Sequence, residues 1–394
     1  MNFKKLQDLL DSFVEDNYAV GNTVTVYLGG ENVFNYTVGY SDLESKKLMT
    51  GNEHFYLYSC SKVTTVVAGV QLLERGKFLL SDPISKYIPE YSEMYIKTPD
   101  GTLVKSENPI TVLNLFNMTA GFDYNTQTTV FDEVRERTGG HMNTLDVIRN
   151  YAKTPLYFEP GTRFQYSLCH DILAGLIEAV TGQKFRDYVK ENIFDPLCMD
   201  KTVYHETPEI LENMATQYTF MPYGVDKIDI VEAQKSAKKI GRFVEKKGNN
   251  LILGDEYDSG GAGIISTCGD YAKLMSALAC YGKGQNGERI LSRYGVELLR
   301  TNTLTPEQAV TFNWSQLRGY GYGLGVRTLT DKVKASSLGN IGEFGWGGAA
   351  GSSVYVDPEI NLAVVYCKHN LNPSEEYYQP RVRNVVYACI DKEI

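Results

Sequence analysis

The chain has 394 residues, of which 43% are hydrophobic and 22% are charged, a composition typical of globular proteins and unlike that of disordered ones. Its formal net charge of -9 gives no general attraction for phosphate backbones or anionic lipid, so we expect neither a nucleic-acid nor a membrane partner. Seven cysteines, odd in number and scattered singly, fit reduced thiols better than a disulfide framework or a zinc site.

The amino-terminal region predicts a helix followed by a β-hairpin. Apolar residues recur at helical spacing over 3–14, and the β-branched runs 23–28 and 33–38 are separated by Gly29-Gly30. This region lacks the apolar core of a signal peptide, and no segment is long and apolar enough to span a bilayer. The sequence therefore predicts a cytoplasmic protein.

The next segment contains the strongest candidate for chemistry. Valines and leucines at helical spacing predict a helix over 60–75, with Ser59 and Lys62 on one face of its first turn. A serine and an amine at this spacing suit a nucleophile and its base, and the helix start favours developing negative charge. A serine that only caps the helix is the alternative, and the bare Ser-x-x-Lys pattern does not exclude it.

Residues 86–255 show mainly helical periodicities, at 111–117, 144–151, 168–180 and 185–193. Within them Tyr166 follows a Pro-Gly turn and directly precedes a helix. A phenol close to an ammonium has a stabilised anion and can relay a proton between nucleophile and leaving group. A basic run from Lys235 to Lys247 is interpreted as a solvated loop or helix face.

The last part of the chain predicts strands over 322–329, 352–356 and 362–367, then a helix with one apolar face over 382–390. Strands at both ends of the chain are expected to pair in one antiparallel sheet covered by the terminal helices. The predicted fold is α+β. Residues 1–85 and 256–394 are expected to form the domain that contains this sheet, and 86–255 a mainly helical inserted domain.

A glycine-rich segment, Gly345 to Gly351, precedes the predicted strand 352–356. Glycines at the start of an edge strand would let a substrate lie against the backbone. One N–H of this strand and the N–H of Ser59 would then bind an oxyanion. A tight turn packed by Trp346 is the alternative.

Three motifs in this order resemble those of the serine β-lactamase and penicillin-binding-protein superfamily, and most closely those of class C β-lactamases and family VIII carboxylesterases. They are Ser59-Cys60-Ser61-Lys62, Tyr166-Ser167-Leu168 and Trp346-Gly347-Gly348. The similarity continues through the segments between them, including Met118-Thr119-Ala120-Gly121 and Ser259-Gly260-Gly261-Ala262-Gly263. The resemblance implies the β-lactamase/transpeptidase-like fold and covers nearly the whole chain.

The resemblance also implies roles for individual residues. Ser59 would be the nucleophile, Lys62 its base and Tyr166 the proton relay, while the N–H groups of Ser59 and Ala349 would form the oxyanion hole. The substrate would contact a further set of residues, which comprises Tyr58, Phe122, Tyr124, Leu168, Trp346, Gly347 and Gly348. The aromatic members of this set, with Tyr56, Trp314 and Tyr320, are candidates for an apolar acyl pocket.

Two departures from the family pattern bear on the substrate. Trp346 and Gly347 replace a Lys-Thr pair that binds the carboxylate of a β-lactam, and Leu168 replaces an asparagine that binds a substrate amide. Both changes favour small neutral esters. Arg163 or Lys153 could supply a cation from another direction, which leaves lactam binding as a lesser activity.

The expected partner is therefore a small-molecule ester or lactam, without metal or organic cofactor. The five histidines show no ligand spacing, and His170 is expected to be packed rather than exposed in the cleft. Three alternatives stay open. The chain could be a β-lactamase or D-amino-acid peptidase, an acyltransferase, or a catalytically silent binding or sensor protein.

Overall fold

The computed structural model describes residues 1–223, 241–371 and 374–391. Thirteen α-helices lie in these ranges. They are α1 Lys4–Glu15, α2 Ser61–Glu74, α3 Val112–Phe116, α4 Thr129–Thr138, α5 Thr144–Tyr151, α6 Cys169–Thr181, α7 Phe185–Val189, α8 Pro208–Glu212, α9 Cys268–Ala279, α10 Arg293–Arg300, α11 Pro306–Ala309, α12 Lys332–Ala335 and α13 Glu375–Ile390.

Fifteen strands lie in the same ranges. They are β1 Gly21–Leu28, β2 Glu31–Asp42, β3 Lys47–Leu48, β4 His54–Tyr56, β5 Tyr95–Lys97, β6 Leu103–Lys105, β7 Tyr218–Pro222, β8 Gly241–Glu245, β9 Ile265–Thr267, β10 Tyr320–Tyr322, β11 Arg327–Leu329, β12 Phe344–Gly347, β13 Ser353–Asp357, β14 Leu362–Lys368 and β15 Asn370–Leu371. Eight of them form one antiparallel sheet in the order β10-β11-β12-β13-β14-β1-β2-β3.

This sheet joins the two ends of the chain. The first hairpin pairs β1 with β2, and β1 also pairs with β14, so that Val24 lies opposite Tyr366. Apolar side chains of α1 and α13, among them Leu10 and Val386, pack with those of β1 and β14 in one core. Helix α9 packs against the same two strands. The predicted hairpin, terminal helices and α+β class are confirmed.

Helix α2 lies at the centre of the larger core. Every residue from Ser61 to Leu72 is buried, because the helix packs against α6, α10 and β12. An ordinary amphipathic helix would leave one face in water. A lysine on α2 is consequently held away from solvent on every side, and this burial sets the chemistry of the site.

Two details of the predicted strands were wrong. The run 322–329 forms two strands, β10 and β11, because the chain turns through Gly323 and Gly325, and Gly325 has a φ of 80°. The glycine-rich segment does not begin an edge strand, since β12 lies between β11 and β13. Its pairing with β11 involves only Phe344 and Gly345, whereas Trp346 and Gly347 pair with β13.

In the described part of the chain, no helix is long and apolar enough to cross a membrane. The first residues of the basic run Lys235 to Lys247 lie outside the described ranges, and its last ones continue from the exposed strand β8. The domain boundaries at residues 85 and 255 stay a prediction.

Candidate active site

Ser59 lies in a short 3₁₀ turn, Tyr58–Cys60, that leads directly into α2. No side-chain capping bond is made at the start of the turn or of the helix, so Ser59 is not an N-cap. Tyr58, directly before it, has a φ of 45°, a conformation that costs a residue with a side chain about 1–3 kcal/mol. The Tyr58 hydroxyl donates to Gln217 Oε1 at 2.7 Å, and this bond fixes the turn.

Lys62 is fully buried one turn after Ser59. Its Nζ donates to Ser59 Oγ at 3.2 Å, to Tyr124 Oη at 3.3 Å and to Gly261 O at 2.7 Å. Burial lowers the pKa of Lys62 to about 7, although Asp171 opposes this shift. Near neutral pH a large fraction of this amine is therefore unprotonated and can accept a proton.

Tyr166 is the second polar side chain that hydrogen-bonds to Ser59. Its Oη donates to Ser59 Oγ at 2.6 Å and accepts from Trp346 Nε1 at 3.3 Å. Burial raises the pKa of Tyr166, and this effect outweighs the two hydrogen bonds, which favour the anion. In the resting site the phenol is therefore neutral, and its role as a proton relay stays a prediction.

The segment after β12 approaches the Ser59 turn closely. A Cβ on Gly348 would lie 2.3 Å from Leu57 O, so only glycine fits there. Gly348 N–H donates to Ser352 O at 2.7 Å and Gly351 N–H to Gly348 O at 2.8 Å, which closes a tight turn. Ala349 is exposed at this turn, and its N–H makes no hydrogen bond within the described ranges. It is free to meet a ligand oxygen.

Ser59 opens into a cleft of about 460 Å³. The cleft is lined by Ser59, Tyr166, Trp314, Ser315, Gln316, Leu317, Arg327, Trp346, Gly347, Ala349, Glu375 and Gln379. Trp314 and Trp346 both pack against the Tyr166 ring, with centroids 5.1 and 5.7 Å away. The wall next to the serine is thus aromatic, as the third motif indicates.

Several predicted substrate contacts do not line this cleft. Phe122 is buried against Tyr151, and Leu168 is buried in the same core, because both belong to the packing around α6. Tyr58 supports the turn before the serine, as described above, and Tyr124 contacts the buried Lys62. Gly348 is buried against Leu57, and the next residue, Ala349, lines the cleft in its place.

The other aromatic and charged candidates also lie elsewhere. Tyr56 donates to Glu206, and Tyr320 packs against Arg327 but does not itself line the cleft. Arg163 is exposed outside the cleft lining, and Lys153 pairs with Glu133 on the surface. His170 is fully buried with Nε2 3.1 Å from Phe116 O, and burial lowers its pKa to about 3. Its packed position agrees with the expectation.

Sequence reasoning missed two features of the site. Gln316, Glu375 and Gln379 come together in the cleft wall from distant parts of the chain, and no local pattern marks them. Gly261 lies beside Lys62, and a Cβ there would be 2.5 Å from Asp171 Oδ2. The glycine run 259–263 was the available indication that a backbone comes close to another group at this point.

Comparisons with known proteins identify the family and the fold of this chain. The family model described as Beta-lactamase matches residues 6–387. Esterase EstB from Burkholderia gladioli is 26% identical over 370 residues, which cover 92% of this chain and 88% of that protein. A putative D-alanyl-D-alanine carboxypeptidase from Escherichia coli K12 is 25% identical over 327 residues, covering 81% and 69%.

Among solved structures, EstCE1, described as a hydrolase with promiscuous acyltransferase activity, superposes with a TM-score of 0.77. It is 25% identical to this chain, and the match covers 98% of each of the two chains. The β-lactamase/transpeptidase-like fold predicted from the motifs is confirmed.

Proposed function

This chain belongs to the beta-lactamase family of serine hydrolases, and we propose that it cleaves small carboxylic esters through an acyl-enzyme on Ser59. The observation that carries the proposal is the convergence of Lys62 and Tyr166 on one hydroxyl, at 3.2 and 2.6 Å, at a cleft with an aromatic wall. A serine so placed has both a base and an acid within hydrogen-bond reach.

In the proposed acylation step, neutral Lys62 accepts the Ser59 proton as Oγ attacks the ester carbonyl carbon. The N–H groups of Ser59 and Ala349 bind the oxyanion, and each such donor is typically worth about 3–4 kcal/mol in the transition state. Tyr166 gives its proton to the departing alkoxide. The site then holds the acyl group on Ser59, a protonated Lys62 and a phenolate that the Trp346 N–H stabilises.

Deacylation reverses these proton movements. The Tyr166 phenolate accepts a proton from water as the water oxygen attacks the acyl carbon. Lys62 returns its proton to Ser59 Oγ when the serine leaves. One water molecule is consumed, a carboxylic acid is released, and all three side chains regain their starting protonation states.

The preference for esters without negative charge rests on what faces the cleft. Trp346 offers an apolar wall where related lactamases carry a cationic anchor, and Leu168 is buried where they carry an amide side chain. Arg327 lines the cleft, but its Nη1 donates to Glu343 Oε1 at 2.9 Å, a carboxylate that it shares with Arg383. Among the described lining residues, an anionic substrate therefore meets only a guanidinium that already forms an ion pair.

Acyl transfer is a second candidate, supported by the promiscuous acyltransferase activity of the similar protein EstCE1 and by an aromatic wall on which an acceptor alcohol can pack. Transfer differs from hydrolysis only in which nucleophile attacks the acyl-enzyme. Faster release of nitrophenol when a particular alcohol is added would identify it. A β-lactamase or D-amino-acid peptidase is a weaker candidate, because Trp346 and Gly347 replace the residues that bind a substrate carboxylate. A catalytically silent ligand-binding protein is also weaker, because Ser59 has both a base and an acid within hydrogen-bond reach.

The test compares labelling with turnover. We expect a fluorophosphonate probe to label the protein but not a Ser59→Ala variant, and short-chain nitrophenyl esters to be cleaved faster than a chromogenic cephalosporin. Absence of the label, or a label that persists in Ser59→Ala, would contradict the role of Ser59. Efficient lactam turnover with negligible ester cleavage would replace the esterase by a lactamase.

A further inference from the structure

One carboxylate in the cleft has no role in the proposed mechanism. Glu375, the first residue of α13, lines the same cleft as Ser59. Its Oε2 accepts a hydrogen bond from Gln316 Nε2 at 3.1 Å, while its Oε1 accepts none and the side chain forms no ion pair within the described ranges. Half of this carboxylate is therefore available to a ligand.

Glu375 lies at the reactive end of the cleft. Its Oε1 is only 3.1 Å from the position that a Cβ on Gly347 would occupy, and Gly347 follows Trp346 in β12. The charge also acts on the reacting groups, since ionised Glu375 raises the pKa of Tyr166. A group bound to Glu375 thus lies close to a substrate carbonyl held at Ser59.

The aromatic wall complements a positive charge. The rings of Trp314, Trp346 and Tyr166 pack together in the lining, with the two indole centroids 6.3 Å apart. Indole faces attract ammonium groups, and the attraction grows when water is excluded. A carboxylate beside two indoles is a suitable environment for an ammonium or quaternary ammonium group.

Within the described ranges Glu375 forms no ion pair, although the positive charge of Lys368 stabilises its ionised form. Arg327 is paired with Glu343, and Lys368 is buried with its Nζ donating to Tyr18 O at 2.9 Å. Burial raises the pKa of Glu375 to about 7, Glu376 raises it further, and Gln316 and Lys368 oppose the rise. The start of a helix favours the ionised carboxylate. A bound cation would favour it more, because it replaces the lost hydration.

We infer that the substrate of this esterase carries an ammonium group, held by Glu375 against the wall formed by Trp314 and Trp346. The inference rests on the proposed function and narrows it: among esters without negative charge, those with a positive charge are preferred. The same carboxylate repels the anionic groups that lactams and peptide termini carry.

Two isosteric substrate pairs test this inference, because each pair differs only in charge. In the acyl group, the nitrophenyl ester of 4-(trimethylammonio)butyrate is compared with that of 5,5-dimethylhexanoate. In the alcohol, choline butyrate is compared with 3,3-dimethylbutyl butyrate. Hydrolysis of these two esters is measured by the acid that they release. We expect kcat/KM to favour the cation at least about tenfold in one pair or both.

Substitutions test whether Glu375 causes the preference for cationic over neutral esters. Glu375→Gln should reduce the cation-to-neutral ratio to about 1, whereas Glu376→Gln, which removes the same charge next to it, should keep the ratio. Should Glu375→Gln fail to fold, inhibition of the unmodified protein serves instead. Tetramethylammonium should then compete with the neutral ester, and tert-butanol should not.

Three results would overturn the inference. They are a cation-to-neutral ratio of 1 or less in both pairs, a ratio that survives in Glu375→Gln, and faster cleavage of the anionic nitrophenyl monoester of glutarate. In each of them the neutral esters are still cleaved, and the proposed function stands. If no ester is cleaved and Ser59 is not labelled, the proposed function itself fails, and the inference fails with it.

Discussion

The indole N–H of Trp346 donates a 3.3 Å hydrogen bond to the phenol of Tyr166, so two of the three motifs contact each other directly. The residue that replaces the cationic anchor of related lactamases therefore holds the proposed proton relay as well as lining the cleft. A change at Trp346 is expected to affect both the substrate and the chemical step.

Trp346→Phe separates these two effects, since it keeps an aromatic wall and removes the N–H donor. Loss of this hydrogen bond should lower kcat for a neutral nitrophenyl ester by about three- to tenfold and leave KM nearly unchanged. Trp314→Phe is the matched control, because Trp314 packs edge-on against Tyr166 without a hydrogen bond to it. An unchanged kcat in Trp346→Phe would show that the indole does not position the phenol.

The reaction should depend on pH through Lys62. Because burial lowers its pKa to about 7 and only the neutral amine accepts a proton, kcat/KM for a neutral ester should rise about tenfold per unit below pH 7 and level off above it. Lys62→Arg should lose at least about a hundredfold in kcat/KM, because a guanidinium does not deprotonate. A profile flat between pH 5 and pH 8 would exclude Lys62 as the base.

The same lysine should make stability depend on pH. Its pKa is lower in the folded protein than the ordinary value of 10.5, so the unfolded chain binds more protons between about pH 7 and 10.5. The contribution of Lys62 to the free energy of unfolding should thus increase by about 2 kcal/mol from pH 7 to pH 9. Urea unfolding of the protein and of Lys62→Met at both pH values measures this difference. Equal pH dependences would contradict the lowered pKa.

Gly261→Ala tests the close packing around the amine. The new methyl group would lie 2.5 Å from Asp171 Oδ2, 2.9 Å from Tyr124 Oη and 3.2 Å from Lys62 Nζ. We expect a loss of about 1–3 kcal/mol in the free energy of unfolding, together with reduced labelling of Ser59. Gly269→Ala is the control, because beyond its chain neighbours and its own helix backbone no atom lies within 4 Å of the added methyl group. Full activity in Gly261→Ala would show that the packing tolerates displacement of Lys62.

Much of the fold followed from local patterns. The first hairpin and α13 were predicted because each presents apolar residues to the core, and α2 because its valines and leucines recur at helical spacing, although it is buried on every side. Helices α4 and α10 were missed, although α10 is strongly amphipathic, because the polar turns around them dominate the local composition. Strands β7 and β8 were also missed. They pair mainly with each other and expose much of β8, so their sequence shows little alternation.

The site could be predicted only where chemistry and local sequence coincide. Ser59, Lys62 and Tyr166 each lie in a motif with a recognisable local context, and the structure brings the three together. Phe122 was misassigned because an aromatic residue near a motif has the same local sequence whether it faces the cleft or the core. Glu375 reaches the cleft only through the packing of α13 on the sheet, which no local pattern records.

The pairing of β1 with β14 also has a consequence for biosynthesis. Lys368 at the end of β14 donates to Tyr18 O across a sequence separation of 350 residues, so the middle of the sheet cannot close until nearly all of this chain has left the ribosome. At ribosomal speeds of roughly 5–20 residues per second, the β1–β2 hairpin waits about 20–70 s with one edge unpaired. During that interval the unpaired backbone N–H and C=O groups of β1 can pair with other chains. We therefore expect chaperones to protect the nascent chain most at this stage.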